Sequence, residues 1–235
     1  YEIAQCLVGS EMCIRDRPPT PERVKYDIFD RVNRGGTPLN KQEMRNALYR
    51  GRCTRMLDKL CCSPEFLIAT GRSINKERMK DQYVVLRAMA FLMLHRGEFK
   101  DIPALQYRGD IDDFLARFMV YVNDNAPEKL IVDYENLFIR CMQISYDLLG
   151  ENGFRFSGNG IRRPINMPLF EALSYLFSFV PEKIDYTWAS RLILDIESVK
   201  EEFDDSRYFS GNIDSTTSVS FRFDRMDKII NRIQL

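Results

Sequence analysis

From Pro18 onward the apolar positions recur with a helical spacing. Val24, Ile28 and Val32 fall every fourth residue beside Phe29, one apolar face between about Glu22 and Asn33. The pair Gly35-Gly36 ends that run and Asn40 opens another. Asn40 followed three residues later by Glu43 is a capping-box pattern, in which each side chain satisfies a free backbone N–H of the other. Ser63-Pro64-Glu65 marks a further start, with proline at the first helical position, where its missing donor costs least. The stretch from Asn75 to Gly97 reads as one long helix, capped by Asn75 and stopped by Gly97. It is apolar nearly all round its middle, so it is expected at the centre of the fold.

Two amphipathic helices follow, "GDIDDFLARFMVYVND" and "PEKLIVDYENLFIRCMQISYDLLG", the second stopped by Gly150. "ENGFRFSGNGIRRPINMP" reads as a loop. "LFEALSYLFSFV", "YTWASRLILDIESVKEEF" and a closing segment from about Ser220 to Leu235 complete the helices, and the polar "DDSRYFSGNIDSTTS" between the last two reads as an exposed loop. The methionines and aromatics at Phe91-Leu92-Met93 and Phe114 to Phe118 are core by spacing. No alternating strand of useful length, internal repeat or low-complexity tract is present. The expected fold is one all-α, irregular multi-helix domain of about eight helices over residues 18–235.

Residues 1–17, "YEIAQCLVGSEMCIRDR", break this pattern. They carry no clear period, and "CLVGSEMCIRDR" resembles a translated sequencing-adapter remnant of the kind found at the ends of metagenome-derived proteins. They are expected to be non-native, with the true gene product extending further upstream, and take no part in the fold reasoning.

Composition narrows the function by exclusion. Hydrophobic residues are 45% of the chain and charged residues 29%, and Lys+Arg and Asp+Glu are both 34, so total charge points to no partner. The cysteines (Cys6, Cys13, Cys53, Cys61, Cys62, Cys141) form no CxxC pair, and with His95 the single histidine no Cys/His zinc set can be assembled. Reduced thiols and a cytoplasmic location are expected. No apolar run approaches the roughly 20 residues of a membrane span. No nucleophile–base pair and no Walker-type phosphate loop is present. Asp110, Asp112 and Asp113 read as acids favoured at a helix start rather than as metal ligands, and His95 as a cation suited to a helix end.

One stretch reads as a device: "FDRVNRGGTPLNKQEMRN", residues 29–46. Its glycine pair permits positive φ and close approach of a ligand. The helix start near Lys41 offers N–H groups and a positive dipole end to an anion. Arg31, Arg34, Lys41, Arg45, Arg50, Arg52 and Arg55 surround it. Two readings stay open. Either the corner holds a phosphate, or Gly-Gly simply ends one helix, Asn40 caps the next, and the arginines pair with Asp27, Asp30 and Glu43. Arg155, Arg162 and Arg163 in the glycine-rich loop are candidates for a second phosphate contact, though an exposed loop favours arginine in any case.

The same stretch resembles a signature of the N-terminal domain of GmrSD-type, modification-dependent restriction proteins, a bacterial defence family with a ParB/sulfiredoxin-like front half and a helical rear half. Phe29, Arg31, Val32, Asn33, Gly35, Gly36, Leu39, Glu43, Arg45 and Asn46 match the family phrase position by position. A "GFRF" segment followed by an arginine loop is similar in order, so the resemblance spans roughly Pro18 to Leu235. It implies NTP-dependent cleavage or sensing of modified DNA, with an NTP and a divalent metal in the full-length protein and none held by this chain. It also implies a cleft to which Arg31, Asn33, Gly35, Gly36 and Thr37 contribute, with Glu43 and Arg45 orienting the corner. The family's upstream "DGQQR" motif is absent from this chain, and a C-terminal HNH nuclease cannot be built with one histidine. The expectation is therefore a helical, non-catalytic part whose partners are DNA, through the full-length protein, and the missing front half, with self-association through faces left bare. The alternative is a helical module that binds another protein and no nucleic acid.

Overall fold

The computed structural model describes residues 38–158, 161–181, 183, 185–209 and 211–233. The chain divides into two compact units, Tyr1–Leu39 and Asn40–Leu235, and nearly all described residues belong to the second. Arg31, Asn33, Gly35, Gly36 and Thr37 lie outside the described residues.

The second unit is all-α. Its described residues form nine α-helices and no strand: α1 Lys41–Leu48, α2 Arg52–Cys61, α3 Pro64–Ala69, α4 Lys80–His95, α5 Ile111–Asp124, α6 Glu128–Leu149, α7 Met167–Phe177, α8 Tyr186–Asp204 and α9 Thr216–Ile233. No helix among the described residues is long and apolar enough to cross a membrane. Every residue from Pro168 to Phe177 of α7 is buried, as is every one from Val84 to Met93 of α4. These two helices pack on each other at the centre, with α9 and α6 against α7, α2 against α4, and α3 against α6. Phe66, Phe138 and Phe170 meet where α3, α6 and α7 converge, and Phe154 lies 4.3 Å from Phe170 between ring centroids. Phe91 and Phe114 belong to a second aromatic cluster with Tyr107 and Phe223.

Local signals set many of the boundaries. Ser63 caps α3, Asp110 caps α5, and Gly150 ends α6 with φ +61°. Three boundaries and one loop depart from the sequence pattern. The helix opened by Asn40 breaks at Gly51, giving α1 and α2. The cause is Asn123 of α5, whose Nδ2 donates to Tyr49 O at 2.9 Å and whose Oδ1 accepts from Cys53 N at 2.8 Å. That amide fills the space a side chain at position 51 would need. Helix α4 begins at Lys80 rather than near Asn75, because Arg78 and Met79 adopt left-handed backbone (φ +55° and +58°). Asn75 instead accepts from Glu77 N, starting a 3-10 turn at Glu77–Met79. Helix α9 starts at Thr216, ahead of the expected Ser220. The stretch before it is no plain exposed loop. Phe209 is buried, and Asp214 reaches the core.

Candidate functional site

The corner can be followed from Asn40. Asn40 Oδ1 accepts from Gln42 N and Glu43 N, both at 2.8 Å, and Glu43 Oε2 accepts from Asn40 N at 2.6 Å. The capping box is complete. It occupies two of the N–H groups that an anion at this helix start would need. Glu43 further accepts from Arg78 Nη2 at 3.1 Å, and these bonds, from Asn40 first and Arg78 second, hold its carboxyl below the usual carboxylate range.

Arg45 is fully buried. Its Nε donates to Gln42 Oε1 at 3.0 Å, its Nη1 to Asp112 Oδ1 at 2.8 Å, and its guanidinium carbon lies 5.2 Å from the centre of the Tyr83 ring. Lys41 pairs with the other oxygen of Asp112. Burial pulls the Asp112 carboxyl upward, and the bonds from Lys41 and Arg45 outweigh it, so it stays low. Asn46 donates to Gln82 Oε1 and to Met79 Sδ, and accepts from Gln42 Nε2 at 2.9 Å. Asn40 Nδ2 donates to Arg78 O at 2.6 Å. Glu43, Arg45 and Asn46, the last three positions of the signature, thus tie α1 to the 75–82 segment and to the start of α5. In front of this joint lies an open groove of about 510 Å³ lined by Asn40, Lys41, Gln42, Arg45, Asn75, Glu77, Arg78, Lys80 and Tyr83.

The loop arginines converge elsewhere, on a groove of about 750 Å³ between the 151–163 segment and α8, which Lys200 and Glu197 also line. Arg155 is buried and acts as a clamp. It donates to the carbonyls of Glu151, Arg163 and Thr70 and to Ser73 Oγ. Arg162 pairs with Glu151 at 2.8 Å, Arg163 with Asp204, and Lys200 with Glu197 at 2.9 Å. The structure brings the three arginines together, but each has a partner within the chain.

Sequence reasoning missed the most heavily buried charges. Glu171 at the centre of α7 accepts from Arg87 Nε of α4 through Oε1, and from Arg222 Nη2 of α9 through Oε2 at 3.0 Å. Arg87 also donates to Asp214 Oδ1 at 2.6 Å and to the Tyr83 hydroxyl at 3.1 Å, while Arg222 Nη1 donates to Ile213 O at 2.6 Å. The signal was one charge inside each of three apolar runs, "VVLRAMAFLML", "LFEALSYLF" and "VSFRF". Buried charges require partners, and lone ones on three central helices are expected to find each other.

His95 corrects its own expectation. It stacks on Phe223 at 3.5 Å between centroids, its Nε2 is buried with no partner among the described residues, and burial, reinforced by Arg222, pushes its pKa down to about 3. It is a neutral packing group, not a helix-end cation. Asp110, Asp112 and Asp113 serve helix capping and ion pairing, as the helix-start reading expects. Among the described residues no group of three or more His, Cys, Asp or Glu is placed to hold a metal ion. Cys53, Cys61 and Cys141 are buried, burial raises all three thiols, Cys141 to about 12, and Cys62 is exposed. No protein-family model matches this chain, and no curated protein or solved structure matches it.

Proposed function

We propose that this chain is the helical, non-catalytic scaffold of a modification-dependent restriction protein of the GmrSD type, and that its signature corner presents Arg31, Asn33 and the glycine turn to a phosphate-bearing ligand. The observation that carries this reading is the joint at α1. Glu43, Arg45 and Asn46, which match the family phrase, each make a separate structural bond there: a helix cap, a buried ion pair and an amide network. A joint so constrained fixes where α1, and with it the end of the signature, sits in the helical unit. That is what a positioning element for a cleft requires. The resemblance supplies the chemistry, NTP-dependent action on DNA, which this chain is expected to support rather than perform.

A second reading, a helical module that binds another protein, is favoured by one observation. The cations of the larger groove are paired internally, while Tyr186 and Leu194 of α8 stand 87% and 71% exposed. Duplex-DNA binding by the full chain, measured over a salt series beside Arg31→Ala and Asn33→Ala, separates the two. Restriction-scaffold function predicts binding that weakens steeply with salt and is lost in both variants. A folded chain with no affinity for DNA at low salt points to the protein-binding module instead.

A further inference from the structure

The approach to α4 is held in a conformation that its own residues disfavour. Lys76, Glu77, Arg78, Met79 and Lys80 are all good helix formers. Asn75 is already placed as a cap, accepting from Glu77 N at 2.8 Å, and Lys76 is right-handed. Yet Arg78 and Met79 turn left-handed, at φ +55° and +58°, and α4 begins only at Lys80, with no side-chain cap from Met79. Left-handed backbone is unfavourable for a residue with a Cβ, and two in succession need an outside hold. Helix α1 and its cap supply it. Asn40 Nδ2 donates to Arg78 O at 2.6 Å, Arg78 Nη2 to Glu43 Oε2 at 3.1 Å, and Asn46 Nδ2 to Met79 Sδ at 3.1 Å.

We infer that residues 75–79 are a two-state strap latched by Asn40, Glu43 and Asn46. Latched, the strap is left-handed at Arg78 and Met79. Released, both residues turn right-handed and the segment winds into one more turn of α4, capped by Asn75. The exchange of partners is local. Gln82 N, which now donates to Asp81 Oδ1 at 2.8 Å, takes Arg78 O as its helical acceptor, and Arg78 O gives up Asn40 Nδ2. The bonds lost reach across to α1 and those gained lie within α4, so the docking of α1 and the length of α4 are coupled. Asn75, Glu77 and Arg78 form part of the wall of the groove beside α1, and the same event reshapes that wall. The strap needs neither DNA nor nucleotide to switch, so it stands or falls apart from the restriction-scaffold reading.

NMR of the full chain tests this. A strong intraresidue HN–Hα NOE marks positive φ, and amide hydrogen exchange at Asp81 and Gln82 reports whether the added turn has formed. The wild type is expected to show strong NOEs at Arg78 and Met79. Asn40→Asp combined with Asn46→Ala opens the latch and spares the cap of α1, because a carboxylate at position 40 still accepts from Gln42 N and Glu43 N. In that variant both NOEs are expected to weaken, and Asp81 and Gln82 to exchange on the order of tenfold more slowly. Adding Met79→Gly, which tolerates the left-handed form and disfavours helix, is expected to restore the Arg78 NOE and the wild-type exchange rates. Lys41→Gln, which removes only a pairing with Asp112, is the control and should match the wild type. Should the double variant fail to fold, Asn40→Asp alone is read by the same two signals. Any of three results overturns the inference. The first is weak NOEs in the wild type. The second is strong NOEs at both residues with the latch open, which would make the left-handed form intrinsic to the segment. The third is weakened NOEs with faster exchange, which would mean that the strap melts and has no second folded state.

Discussion

Arg45 Nη1 and Asp112 Oδ1, 67 positions apart in the chain, meet at 2.8 Å and bind the first described helix to the start of α5. The arginine is buried and the aspartate side chain is 26% exposed, so the pair is anchored on one side and wet on the other. Replacing Asp112 with Asn leaves the guanidinium without its counter-charge. Asp112→Asn is expected to cost about 2–3 kcal/mol in urea denaturation. Lys41→Gln, which removes only the exposed partner, is expected to cost under about 1 kcal/mol. Equal costs for the two would show that burial of Arg45 is not what matters.

Glu171 neutralises two arginines at once. Glu171→Ala strands Arg87 and Arg222 among apolar side chains, and about 3–5 kcal/mol of stability is expected to go with it. Asp214 still serves Arg87, so Arg222, whose Nε is buried without a partner among the described residues, is the more exposed to this loss. A triple replacement, Arg87→Met with Glu171→Leu and Arg222→Met, is expected to recover most of the stability. A triple variant as unstable as Glu171→Ala alone would mean that the charges do more than satisfy one another.

A Cβ on residue 51 would lie 2.6 Å from Asn123 Oδ1. The amide cannot retreat cheaply, because it holds Tyr49 O and Cys53 N across the break between α1 and α2. Gly51→Ala is expected to lower stability by about 1–3 kcal/mol. Combined with Asn123→Ala, which removes the obstacle, the total should fall short of the sum of the single costs. Strict additivity would count against steric conflict as the reason for glycine.

Acid should destabilise the fold before its carboxylates titrate. His95 has a folded pKa of about 3 against its ordinary 6.5, so between those values the unfolded chain binds one more proton than the native one. Stability then rises with pH over that interval and falls on acidification. The loss at pH 4.5 relative to pH 7 is expected to be about 2–3 kcal/mol. Lower still, Asp112 and Glu43 add to the loss. Their folded pKa values are depressed, and their contribution disappears as pH falls through those values. Urea midpoints from pH 7 to 4.5 test this, and His95→Gln should flatten the slope. A variant with the wild-type slope would assign the effect elsewhere.

Features set by neighbouring residues in the chain were legible in the sequence. The Asn40–Glu43 box, the Ser63-Pro64 start, the central placement of the "VVLRAMAFLML" helix and the all-α class follow from local spacing. What escaped depends on contacts between distant segments. Nothing near Arg78 and Met79 announces a left-handed pair, since neither is glycine. Bonds from Asn40 and Asn46 accompany that conformation, one from the cap of α1 and one from the helix itself. The same holds for the site. Arginines were legible as a cluster around 155–163, but only the fold reveals that Glu151, Asp204 and backbone carbonyls already engage them.

The buried thiols provide a clock. Cys53 in α2 and Cys141 in α6 are both inaccessible and held protonated, so neither can react with an alkylating reagent while its helix stays packed. Cys62, exposed at the end of α2, reacts at once and calibrates the reagent. The labelling rates of Cys53 and Cys141 therefore time the opening of two different parts of the molecule. Matching rates would mean that α2 and α6 come apart in one event, and a faster Cys53 that the α1–α2 corner breathes while the centre stays shut.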